Sequence, residues 1–116
     1  MKMKTQDTAK KLIAAAIFAG AFCWAASAQD ATTLWNANCA ACHGKDGKGQ
    51  TMMGKRLAIK DLTDPAVQAA LTDDQITADI KNGITENGTP KMKAFGEKLT
   101  DDQIKTLVGQ VRSFKK

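Results

Sequence analysis

Cys39-Ala40-Ala41-Cys42-His43, followed by Gly44, is the stretch of this chain whose residue types and spacing can do chemistry. Two thiols three positions apart lie on nearly the same side of a helical turn. Each can then add to one of the two vinyl groups of a single haem, while the next residue, His43, projects its imidazole at the iron as an axial ligand. C-x-x-C-H is the pattern of covalent c-type haem attachment. The expected cofactor is one covalent haem c with its iron. Two other uses of these residues compete. A thiol–disulfide pair of the thioredoxin kind needs β-α-β units, and the runs of β-branched and aromatic residues that make strands are missing. Zinc wants four ligands, and beyond residue 28 only Cys39, Cys42 and His43 offer a thiol or an imidazole.

A six-coordinate iron needs a second axial ligand. His43 is the only histidine, so methionine is the candidate. Beyond residue 28 the methionines are Met52, Met53 and Met92. Met52 and Met53 follow His43 by 9 and 10 residues, in a loop expected beside the proximal region. Met92 follows by 49, enough chain to reach the opposite face, with Pro90 to stiffen its approach and Phe95 to shield its sulfur. The alternative is that Met92 merely fills a gap.

These residues need elements to hold them. Asp30 or Thr32 can cap a first helix, in which Ala31, Leu34, Trp35, Cys39 and Cys42 share one face. Trp35 belongs to that buried face, against the haem or the last helix. Gly44 to Lys60 reads as loop, and its Leu57 and Ile59, with Leu62 beyond, fold back over one edge of the haem. Its G-x-x-x-x-G-K match, residues 49–55, continues with Arg56 where a phosphate loop needs Ser or Thr, and no strand precedes it. Asp64-Pro65 starts a short helix to about Leu71. Thr72-Asp73-Asp74-Gln75 is a capping box opening a helix that Gly83 ends. Ile84 to about Lys98 reads as loop, with a turn at Asn87-Gly88. Thr100-Asp101-Asp102-Gln103 opens the last helix, whose stripe is Ile104, Leu107, Val108 and Val111, with Phe114 beside it. The hexapeptide LTDDQI occurs at 71–76 and again at 99–104, two uses of one helix-start signal. Gly109 falls off the core stripe.

The amino terminus reads as an export leader. Lys2, Lys4, Lys10 and Lys11 precede an uncharged apolar run from Leu12 to Ala26, and Ala26-Ser27-Ala28 is a cleavage site. The run is 15 residues long, short of the roughly 20 that span a bilayer. The expected organisation is a signal peptide, 1–28, and one haem domain, 29–116, in the periplasm. The chain carries +5 in all, but residues 29–116 hold 13 basic and 11 acidic groups, which gives no basis for nucleic-acid binding. Aromatic content is 5% with no Tyr. So small a domain is poorly supplied with core, and a large apolar cofactor would repair that.

Taken together, Leu34-Trp35 before Cys39–Gly44, the Asn82-Gly83 turn, the Lys91–Gly96 stretch around Met92 and the Leu99-Thr100 entry into the last helix resemble the class I c-type cytochromes, especially small bacterial periplasmic ones. The resemblance covers residues 30–114. It implies an all-α fold of short helices wrapped around one haem, first and last helices crossing, and His43 and Met92 as axial ligands. The family often has a glycine near Ala31 and an aromatic near Gln110, and this chain has neither. The function implied is a monohaem one-electron carrier, not an enzyme. It would be a monomer with redox proteins as partners, reaching a membrane only through partner complexes. Other classes are a haem subunit docked permanently to a dehydrogenase or oxidase, and a five-coordinate sensor or peroxidase-like protein. Lys45, Lys48, Lys91 and Lys93 either steer an acidic partner or are plain solvated surface.

Overall fold

The computed structural model describes residues 30–116. The expected leader, residues 1–28, lies outside them. Six helices and one small hairpin follow one another: α1 (Ala31–Asn38), α2 (Ala40–His43), α3 (Met52–Leu57), α4 (Pro65–Ala70), α5 (Asp73–Asn82), β1 (Ile84–Glu86), β2 (Thr89–Met92) and α6 (Asp101–Ser113).

The helix starts are built by side chains that satisfy the free N–H groups of a first turn. Asp64 accepts from Ala66 N, Thr72 from Gln75 N and Thr100 from Gln103 N. At Thr100 the box closes both ways, the Gln103 side chain accepting from Thr100 N at 2.9 Å. Both copies of LTDDQI thus open helices, and both bury their isoleucine, Ile76 and Ile104. Asp30 stands at the start of α1 without a side-chain cap.

The elements pack on one core. Leu34 and Trp35 of α1, Ile76 and Ile80 of α5, and Ile104, Leu107, Val108 and Val111 of α6 form it with Cys39, Leu62, Phe95 and Leu99. The first and last helices are in contact, as the resemblance implied. The aromatic contact comes from Trp35 and Phe114, ring centroids 4.9 Å apart, rather than from position 110.

Three expectations are corrected. The single helix through Cys42 is two, because Cys39 sits between α1 and α2 with φ −121° and ψ −33°, outside helical geometry. The loop 44–60 contains α3, capped by Thr51. The fold is mostly helical rather than all-α. β1 and β2 pair antiparallel within the stretch read as loop. Asn87 and Gly88 both have positive φ, 49° and 78°, as a two-residue type I′ turn requires. The pairing runs Glu86 with Thr89, Thr85 with Pro90 and Ile84 with Met92, so Lys91 is the extra residue of a bulge.

Candidate haem site

The C-x-x-C-H turn is held by its own carbonyls. A short helix ends with acceptors that have no partner inside it. Here Cys42, His43 and the Gly44 that follows each find a donor. Thr51 Oγ1 donates to Cys42 O at 2.7 Å, Gly49 N to His43 O at 2.7 Å, and Trp35 Nε1 to Gly44 O at 2.8 Å. The Thr51 hydroxyl also accepts from Gly54 N, so one side chain caps α3 and ties it to α2. Gly54 is where the two backbones meet: a Cβ there would meet Gly49 O, and Cys42 O at 2.7 Å. Trp35 is 2% exposed. Its ring lies 5.5 Å from the His43 imidazole, tilted by 44°.

The electrostatics favour a bound group over free thiol chemistry. Burial, and then the neighbouring Cys42, push the Cys39 thiol up to about 11. A redox-active cysteine needs the opposite shift. Burial lowers the His43 pKa below its ordinary value, so the imidazole is neutral at pH 7, the form that ligates iron. His43 Nδ1 is buried with no hydrogen-bond partner among the described residues. Among those residues no cluster of three or more His, Cys, Asp or Glu could hold a metal ion, so the zinc alternative finds no ligand set.

Trp35, Cys39, Cys42 and His43 face a cavity of about 710 Å³. Interiors close-pack and leave few voids larger than a water, whereas ligand sites run to about 300–1,000 Å³. In a domain this small, such a space is a cradle for a large group. Leu57, Ile59 and Leu62 line it, as expected of the segment that folds back, with Ile76 and Ile84. Met92 and Phe95 line it too. Four residues from two distant stretches, Cys39, Cys42, His43 and Met92, therefore share one cavity, and its mostly apolar wall fits a haem.

The other two methionines of the described residues differ. Met52 is 86% exposed and is not on the cavity wall, whereas Met53, 41% exposed, is. The wall also carries two acids, Asp79 and Glu86, and burial raises the Asp79 pKa. Thr51 is the residue that sequence reasoning missed here. A threonine before Met-Met-Gly carries no downstream Glu or Gln to mark it as a cap.

The family described as cytochrome C oxidase, cbb3-type, subunit III, matches residues 26–109. Among solved structures, the chain is similar to the KustC0563 c-type cytochrome, with 36% identity and a TM-score of 0.67 over 76% of this chain and 100% of that one. A point mutant of the same cytochrome matches with 36% identity and a TM-score of 0.65, over 75% of this chain and 100% of that one. No curated protein matches the sequence.

Proposed function

Since this chain belongs to the class I c-type cytochromes, we propose that it is a periplasmic one-electron carrier whose haem iron lies between His43 and Met92. The family carries haem c covalently and works with redox partners. The bound iron supplies the one-electron step by cycling between Fe(II) and Fe(III). Cys39 and Cys42 hold the group through their sulfurs. His43, neutral and with its backbone carbonyl held by Gly49 N, would be the proximal ligand. Met92 offers a soft thioether that favours the ferrous state and raises the potential. With His43 and Met92 both supplied by the fold, the protein would have little to rearrange as the electron moves.

The observation that carries this reading is the convergence of Cys39, Cys42, His43 and Met92 on one cavity. Periplasmic placement rests on the leader-like residues 1–28. The match to subunit III of cbb3-type oxidases supports a second reading, a haem subunit of an oxidase complex, which stable co-purification with partner subunits would favour.

The test begins with protein matured in an export-competent host. Its mass should be that of residues 29–116 plus one haem, and the colour should survive acid–acetone extraction. Met92→Ala should keep the haem, erase the sulfur-to-iron charge-transfer band of the oxidised form, open the reduced iron to carbon monoxide and lower the potential. Met52→Ala and Met53→Ala should do none of these. An intact leader would sink the placement, and an unchanged oxidised spectrum in Met92→Ala would sink the ligand.

A further inference from the structure

We propose that Lys91 is a positioning residue for Met92, a strap that closes the hairpin across the cavity onto the end of α3. The inference rests on Met92 being the distal ligand. Its first support is a bond: Lys91 Nζ donates to Leu57 O at 3.0 Å, between residues 34 apart in sequence. Leu57 is the last residue of α3, and Ala58 beyond it turns left-handed with φ 56°. A helix end with free carbonyls carries partial negative charge, which an ammonium complements.

The second support is the bulge. Side chains of successive strand residues point to opposite faces, so a regular β2 would send Lys91 away from the face of Met92. Both line the cavity. The register shift between Ile84 and Thr85 makes this possible by inserting Lys91 as an unpaired residue; bulges re-aim side chains in this way. The backbone behind Met92 is also fixed, since a Cβ at Gly83 would meet Met92 O at 2.6 Å. Gly83 therefore sets the depth of the strand, and Lys91 holds its free edge to the far wall. Lys91 is half-buried and committed to this bond, so it leaves the set of lysines that could steer a partner.

An external ligand reaches the iron only when Met92 has left it, so its apparent affinity reports how often the strap opens. In the holoprotein, Lys91→Met removes the donor and keeps the apolar stem. The oxidised protein should then bind imidazole about tenfold more tightly, with a weaker charge-transfer band. Amide hydrogen exchange across residues 84–92 should rise by a similar factor. Lys91→Arg, which keeps a cationic donor, should restore both. Lys45→Met removes the same charge from an exposed lysine without a partner among the described residues and should change neither. A Lys91→Met protein that matches Lys45→Met in imidazole affinity and in exchange overturns the strap. Failure of the ligand assignment is separate: Met92→Ala with an unchanged oxidised spectrum would remove it, and the exchange measurement would still decide the strap.

Discussion

Trp35 serves the site twice, through its ring and through its N–H. The ring fills the space between the His43 imidazole and Phe114. The N–H holds the peptide that follows His43 by its Gly44 carbonyl. Trp35→Phe keeps the first contact and removes the second, leaving the part-buried Gly44 carbonyl with only the longer bond from Gly47 N, 3.2 Å. A loss of about 1 kcal/mol is expected, read as a lower denaturant midpoint with the haem still attached. The core role of this residue follows from helical spacing alone. The hydrogen bond does not, because it depends on the chain turning back after the break at Cys39. Cys39, Cys42 and His43 stood out because one local spacing states their chemistry, and Met92 because methionine was the remaining ligand type; the structure brings all four to one cavity wall. Thr51 and Lys91 act on carbonyls 9 and 34 residues away, and no local pattern marks such partners.

Between elements, α4 is tied to α6 through Gln68, which is 3% exposed. Its amide donates to Leu62 O at 2.7 Å and Val111 O at 2.8 Å, and its oxygen accepts from Arg112 at 2.9 Å. Arg112 also donates to Leu71 O at 2.7 Å and pairs with Asp73 at 2.8 Å. Gln68→Leu matches the volume, strands the buried Leu62 carbonyl and leaves Val111 O with its 3.3 Å bond from Phe114 N, so it should destabilise by about 1–3 kcal/mol. Urea unfolding of the holoprotein checks this; a shift below about 1 kcal/mol would mean that water replaces the amide. Caps at Asp64, Thr72 and Thr100 and the stop at Gly83 were readable, because capping chemistry is local. The hairpin was not, although Asn87-Gly88 is a strong turn signal. Its strands are three and four residues long, carry Pro90 and lack an alternating apolar face. In α3, two glycine-flanked methionines gave no stripe to read.

Across the whole molecule, charge is uneven. Between positions 45 and 60 stand Lys45, Lys48, Lys55, Arg56 and Lys60 against Asp46 alone. Acids gather instead at the starts of α4, α5 and α6: Asp64, Asp73, Asp74, Asp101 and Asp102. Met53, Leu57 and Lys60 of the basic stretch line the cavity, so an anionic reagent approaching there meets attraction. Its bimolecular electron-exchange rate should fall from low salt to physiological ionic strength, and that of a cationic reagent should not fall. Equal salt dependence for the two would remove the steering role from Lys45 and Lys48.

Gly54 has a consequence for anyone redesigning the chain. It is the point where α3 touches the backbone of the cysteine turn, and any added carbon meets Cys42 O. Gly109, in the middle of α6, has nothing within 4 Å of such a carbon and costs its helix about 1 kcal/mol relative to alanine. In a library that randomises both codons, one glycine is a keystone and the other a free site for thermostabilisation. The amino acid is the same, and its surroundings alone divide the two fates.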